Sequence, residues 1–72
     1  MKVLKKDTVD TLNIDEALVI ETIDTTGSGW EEFSNLKSMA RIAGDVSKEV
    51  FLNKGQVQKL IRTLNRVQQT LD

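Results

Sequence analysis

The strongest constraint on the fold is the spacing of apolar residues in the last quarter of the chain. They recur at intervals of three and four residues, at Val57, Leu60, Ile61, Leu64, Val67 and Leu71. This spacing places them along one face of an α-helix. Asn53 and Gln56 have the residue types and the separation of a capping box, which predicts that the helix begins at Asn53 or Lys54.

Three segments in front of this helix predict strands. Glu49–Leu52 is short, β-branched and aromatic, which favours a strand that runs directly into the helix. Ala17–Asp24 is apolar on both faces at its centre, as a central strand is. Residues 2–14 have a weaker pattern, which predicts one irregular strand or two short ones.

The segment from Gly29 to Ala43 predicts a second helix. Ser28 and Glu31 have capping-box spacing at its start, and Trp30 and Phe33 would be its apolar anchors. The alternative is a second β-hairpin through Trp30 and Phe33, because the serines and the asparagine of this segment are poor helix formers. We take the helix as the prediction and keep the hairpin as its competitor.

Together these elements predict one α+β domain over residues 1–72. Its order is β-β-α-β-α, with an antiparallel sheet packed by two helices. The expected core consists of Leu18, Ile20, Trp30, Phe33, Phe51, Leu60, Ile61 and Leu64. A domain of 72 residues is marginal without a partner, so we expect a homodimer.

The side-chain inventory argues against catalysis. The chain has no histidine and no cysteine, which removes imidazole and thiolate nucleophiles and the usual ligands of zinc and other transition metals. We therefore expect no enzyme, no metal and no cofactor. Its longest apolar run, Ala17–Ile20, is far shorter than a membrane span, and the N-terminal residues lack the apolar region of a signal peptide. These features predict a soluble cytoplasmic protein without a membrane partner.

The stretch after the second strand contains three motifs that fail on inspection. Asp24 to Ser28 resembles the Asp-Thr-Gly-Ser signature of aspartic proteases, but Thr26 is inserted and the chain has no second copy. The glycines at 27 and 29 lack the other residues of a phosphate-binding loop. A calcium loop that starts at Asp24 has Asn35 where a glutamate is required. We interpret the stretch as a polar joint.

Charge divides the chain into two halves. Residues 1–36 hold eight acids and three lysines, whereas residues 37–72 hold seven bases and three acids. On the last helix, three bases project opposite the apolar stripe; we call Lys59, Arg62 and Arg66 the basic ridge. Together with Lys54 and Arg41, the basic ridge is the candidate partner-binding surface.

DNA binding is the alternative function. Residues 39–53 are similar to a helix-turn-helix, with Ala40, Gly44 and Val50 at the positions of the packing alanine, the turn glycine and the anchoring valine. The match departs at Asp45, where an apolar residue usually follows the glycine. A basic second half is compatible with phosphate contacts.

The segment Val50–Leu64 resembles the closing unit of small accessory proteins of bacteriophages and prophages. The shared pattern is a strand ending in V-x-L, a helix cap, and then Q-V-x-x-L-I-x-x-L. The resemblance implies a small α+β protein that binds a host or phage macromolecule and alters its activity. We therefore predict a non-enzymatic regulatory protein whose partner is another protein, with nucleic acid as the alternative.

Overall fold

The structure is a computed structural model that describes residues 2–13, 16–27, 36–44 and 48–72. Its elements are β1 (Lys2–Asp10), β2 (Ala17–Asp24), β3 (Ser38–Ala43), β4 (Glu49–Leu52) and α1 (Lys54–Thr70). The four strands form one sheet in the order β1-β2-β3-β4, and every neighbouring pair is antiparallel. Among these elements, α1 contacts only β3 and β4.

One face of the sheet contains the buried residues and an ion-pair network, and we call it the ion-pair face. Pairing of β2 with β3 sets Ile23 beside Met39 and Glu21 beside Arg41. Because side chains alternate along a strand, these residues share a face with Ala43. Ile23 is fully buried, and the side chains of Met39 and Ala43 are nearly so. The core of the described chain is therefore centred on β2 and β3.

The opposite face of the sheet meets the start of α1, and we call it the helix-side face. It is formed by the alternate residues of β2, β3 and β4, which include Leu18, Ile20, Thr22, Ala40, Ile42, Val50 and Leu52. Thr22, Ala40 and Leu52 line a shallow groove together with Val57 and Gln58 of α1. Only the first turns of the helix cover this face.

Two tight segments hold the strands at their ends. Between β1 and β2, the Thr11 hydroxyl donates to the Glu16 carbonyl at 2.6 Å, and the Glu16 N–H donates to the Asn13 carbonyl at 2.9 Å. After β2, the buried Thr25 donates from its N–H to the Lys37 carbonyl and from its hydroxyl to the Leu36 carbonyl. These bonds tie the end of β2 to the chain that leads into β3.

The predicted order β-β-α-β-α with two helices is wrong. Ser38–Ala43 is a strand, so the predicted helix from Gly29 to Ala43 is not present over its last six residues. As a strand, this segment supplies backbone hydrogen bonds to β2 on one side and β4 on the other, and a helix would leave the four-residue β4 without that neighbour. Trp30 and Phe33, which carried the competing hairpin, lie outside the described residues.

The helix-turn-helix over residues 39–53 is contradicted as well. Its first helix falls on β3 and the end of its second on β4, with Ala40 paired to Leu52 across the ladder. An alanine that packs between two helices cannot at the same time pair with a neighbouring strand. The offsets of Ala40 and Val50 instead reflect their shared place on the helix-side face.

Several predictions about elements are confirmed, whereas the predicted core is only partly correct. β2, β4 and the start of α1 fall where the sequence placed them, and Lys2–Asp10 is one strand whose register shifts between Val3 and Lys5. Of the expected core, the half-buried members are Leu18, Ile20, Phe51 and Leu60, and the exposed ones are Ile61 and Leu64. Trp30 and Phe33 are outside the described ranges.

Candidate partner-binding surface

The position of α1 is fixed by its cap. The Gln56 N–H donates to Asn53 Oδ1 at 2.9 Å, and the Asn53 N–H donates to Gln56 Oε1 at 3.0 Å. This reciprocal pair is the capping box that the sequence predicts. Because Asn53 is the single residue between β4 and α1, the cap also sets the direction in which the helix leaves the sheet.

The basic ridge lies on the outer side of α1. Lys59, Arg62 and Arg66 are exposed, and they line a shallow depression together with Thr63 and Asn65. The rise of an α-helix places the first and last of these bases about 10 Å apart along the axis. None of the three forms an ion pair with any residue in the described part of the chain.

Lys54 occupies a different place from the ridge. It is the first residue of α1, its side chain is exposed, and it lines the groove between the helix and the sheet. At about 100° per residue, it lies well around the helix axis from Lys59. A partner that contacts the ridge would therefore reach Lys54 only by extending around the start of the helix.

Arg41 is separated from the other candidate residues and belongs to the ion-pair face. Its Nε donates to Glu49 and its Nη1 to Glu21, each at 2.5 Å, and only 13% of its side chain is exposed. The hydrogen bond to Glu49, followed by that to Glu21, raises the pKa of Arg41 although burial opposes this. Arg41 thus holds three strands together and is withdrawn from the surface that a partner would touch.

A second surface of α1 lies on the apolar face that the sequence predicts, and it is largely open to solvent although Ile61 and Leu64 were expected in the core. The exposed fractions are 54% for Ile61, 55% for Leu64, 45% for Val67 and 68% for Leu71. We call these four residues the exposed stripe. The lengths of the two last elements could have indicated this exposure from the sequence. A helix of 17 residues is about twice as long as a strand of four. A helix that follows so short a strand projects past it.

The described acidic side chains of the first half either pair with a neighbouring group or lie apart from one another. Glu21 pairs with Arg41, and Asp7 lies 3.7 Å from Lys5 on the exposed β1. The hydroxyl and the N–H of Thr26 both donate to Asp24, and these bonds lower the pKa of the Asp24 carboxyl. The acids of residues 2–13 and 16–27 therefore do not form a single surface comparable with the basic ridge.

The described residues offer little for a cofactor. In the four described ranges, no three acidic side chains lie close enough to hold a metal ion. Of the helices within those ranges, none has the length and the apolar character needed to cross a bilayer. On α1, the features that a partner can contact are the basic ridge and the exposed stripe.

Comparison of the chain with protein-family models, with curated proteins and with solved structures finds no match.

Proposed function

We propose that this chain is a small, non-enzymatic regulatory protein that binds an acidic surface of another protein through the basic ridge. The observation that carries the proposal is that Lys59, Arg62 and Arg66 are exposed together without an ion pair to the described residues. The resemblance of Val50–Leu64 to phage and prophage accessory proteins supports it. On this proposal the protein acts in the cytoplasm by occupying part of its partner's surface.

The positions of the basic residues on α1 lower the stability of the helix on its own. This supports a role for them in binding a partner. Arg62 is three residues from Lys59 and four from Arg66, and like charges at these separations each cost a few tenths of a kcal/mol. Lys54 lies in the first turn, near the positive end of the helix dipole, and that turn has no acid. Attraction to a nearby anionic surface would offset these repulsions.

An acidic protein fits the ridge better than nucleic acid does. The ridge holds only three bases, and the pI of the chain, near 5.3, is far below the value above about 9 that is usual for a nucleic-acid-binding domain. Nucleic acid is the second candidate because Lys54–Thr70 has four bases and no acid. Since residues 39–44 and 48–53 do not form a helix-turn-helix, such binding would use phosphates rather than base edges.

The test is capture of a protein partner by immobilised chain. Wild type is compared with Arg62→Glu/Arg66→Glu and with the control Lys37→Glu/Lys48→Glu, which makes the same charge change at two exposed positions off the helix. We expect wild type and the control to retain the same protein from a bacterial lysate. We expect the ridge variant to lose it, because the charge reversal turns attraction into repulsion. Equal retention by all three would contradict the proposal.

Duplex DNA and added salt separate the two candidates. Binding to DNA through phosphates weakens steeply with salt, by about one power of ten in affinity per tenfold salt for each phosphate contact. We expect no shift of a labelled duplex at low salt, whereas the captured protein should still bind there. A shift that disappears in Arg62→Glu/Arg66→Glu would favour nucleic acid.

A further inference from the structure

We infer that the exposed stripe of α1 is the contact surface for a second copy of this chain. The inference concerns a different surface from the proposed function and does not depend on it. Ile61, Leu64, Val67 and Leu71 form an apolar band on a helix in which no residue is buried. In a soluble domain this much contiguous apolar surface marks an interaction site.

The accessible surface area is the first argument that another molecule covers the exposed stripe. The chain has 6102 Å² of accessible surface. This value is about a third more than the scaling of surface with mass gives for a folded monomer of the same size. The radius of gyration agrees, since it is 13.9 Å, against about 11 Å for a compact domain of this length. A standard interface removes about 800 Å² from each partner, and the excess surface is large enough to supply it.

Helical spacing is the second argument, and it favours another helix as the cover. Five apolar residues of α1 follow one another at alternating separations of three and four residues. We call them the seam: Val57, Leu60, Leu64, Val67 and Leu71. This is the heptad pattern that seats one helix against another. Two heptads are too few for an isolated coiled coil, so the sheet at the start of each helix must contribute to the stability of the pair.

Charge is the third argument, and it allows a second copy to be the partner. The helix has bases and no acid, so pairing with itself would be opposed if those bases flanked the seam. Only Lys54, in the first turn, takes a flanking heptad position; the other flanking positions are uncharged and hold Gln56, Ile61, Thr63, Gln68 and Thr70. The basic ridge lies on the opposite side of the helix. Two copies can therefore bring their stripes together while both ridges stay in solvent.

A lipid surface is the competing occupant of the stripe. Helices that lie on anionic membranes carry lysine and arginine on the polar face, as α1 does. What speaks against a lipid surface is the composition of the apolar face. The helix contains none of the tryptophan or phenylalanine that commonly anchors such helices.

Sedimentation equilibrium tests the pairing with a matched pair of substitutions. Leu64→Lys places a charge in the seam, and Asn65→Lys adds the same charge at the neighbouring exposed position outside it. We expect wild type and Asn65→Lys to have twice the mass of the 8.1 kDa chain. Because the change occurs in both copies, Leu64→Lys should weaken dimerisation by about 100-fold or more. A wild type that is monomeric at all soluble concentrations would overturn the inference.

A second measurement covers the case in which Leu64→Lys fails to fold. Because the chain has no cysteine, introduced cysteines report on proximity without interference. Leu64 lies near the middle of the stripe, where equivalent residues of two copies meet. We expect Leu64→Cys to form a disulfide-linked dimer under mild oxidation, while Asn65→Cys stays largely without an intermolecular disulfide on a denaturing gel. Equal yields would contradict the inference.

A vesicle-binding measurement tests whether the exposed stripe binds a membrane surface. Wild-type chain is mixed with phosphatidylglycerol vesicles and centrifuged, and the inference predicts that the dimer stays in the supernatant. A monomeric chain that sediments with the vesicles would overturn the inference in favour of a membrane surface. The variant Arg62→Glu/Arg66→Glu separates the dimer from the proposed function. It changes only the basic ridge, so it should sediment as a dimer like the wild type even if it no longer binds the partner protein.

Discussion

The centre of the sheet and the C-terminal helix differ in how far a single chain completes them. β2 and β3 hold every buried apolar side chain in the described part of the chain, and Arg41 of β3 lies between Glu21 of β2 and Glu49 of β4. α1 has an equally clear pattern in sequence, yet no residue of it is buried. A regular pattern therefore determines the type of an element, whereas burial depends on what packs against it.

The largest expected effect tests whether the sheet centre carries the stability. Ile23 is fully buried between two strands, so Ile23→Ala should leave a cavity and lower the free energy of unfolding by about 3 kcal/mol. Val9→Ala on β1 removes side-chain carbons where half of the residue is exposed, and it should cost less than about 1 kcal/mol. Urea denaturation measures both values. Similar losses of unfolding free energy in the two variants would show that the centre of the sheet contributes no more to stability than β1 does.

The second expected effect tests the ion-pair network. Arg41→Met leaves Glu21 and Glu49 without their shared cation, and Glu21 is only 12% exposed. Removal of one partner from a poorly hydrated ion pair is strongly destabilising. We expect a fall in the urea midpoint smaller than that of Ile23→Ala and larger than that of a lost helix cap.

A double variant sharpens this prediction. Arg41→Met combined with Glu21→Gln removes the stranded charge, so it should recover part of the lost stability. If the double variant is less stable than Arg41→Met alone, the network does not act as a coupled unit.

The third expected effect concerns the helix. Asn53→Ala removes the acceptor for the Gln56 N–H, and the loss of such a cap costs about 1 kcal/mol. Because α1 has few contacts to stabilise it otherwise, its circular dichroism signal should fall at lower denaturant than the signal of the sheet. Lys54→Ala, which leaves both cap bonds in place, is the control. A single coincident transition in Asn53→Ala would show that helix and sheet unfold together.

The smallest expected effect is a pH dependence at the end of β2. Hydrogen bonds from the Thr26 hydroxyl at 2.5 Å and the Thr26 N–H at 2.9 Å lower the pKa of Asp24 below its usual 3.8. A lowered folded-state pKa adds stability above the usual value, and this contribution is lost as pH falls through the folded value. Asp24→Asn should therefore be less stable than wild type near neutral pH, and the gap should close in acid.

A second substitution identifies the source of that pH dependence. Thr26→Val removes the hydroxyl donor but keeps the backbone one, so it should reduce the pH dependence without abolishing it. A gap between wild type and Asp24→Asn that is constant with pH would mean that the carboxylate charge does not contribute.

The sequence alone determined the elements whose signals are local. The capping box at Asn53, the 3.6-residue period of α1 and the β-branched runs of β2 and β4 depend on neighbours within a few residues, and the structure confirms each of them. The basic ridge was predictable for the same reason, since its three bases share a side of one helix.

Tertiary structure decided what depends on distant partners. Arg41 meets Glu21 across 20 residues of chain, and only the register of β2 and β3 makes Ser38–Ala43 a strand and withdraws that arginine from the surface. Leu64 has the pattern of a core residue but is exposed, because the four residues of β4 are too few to cover a 17-residue helix. Pairing and burial are properties of whole surfaces, and no local window of sequence encodes them.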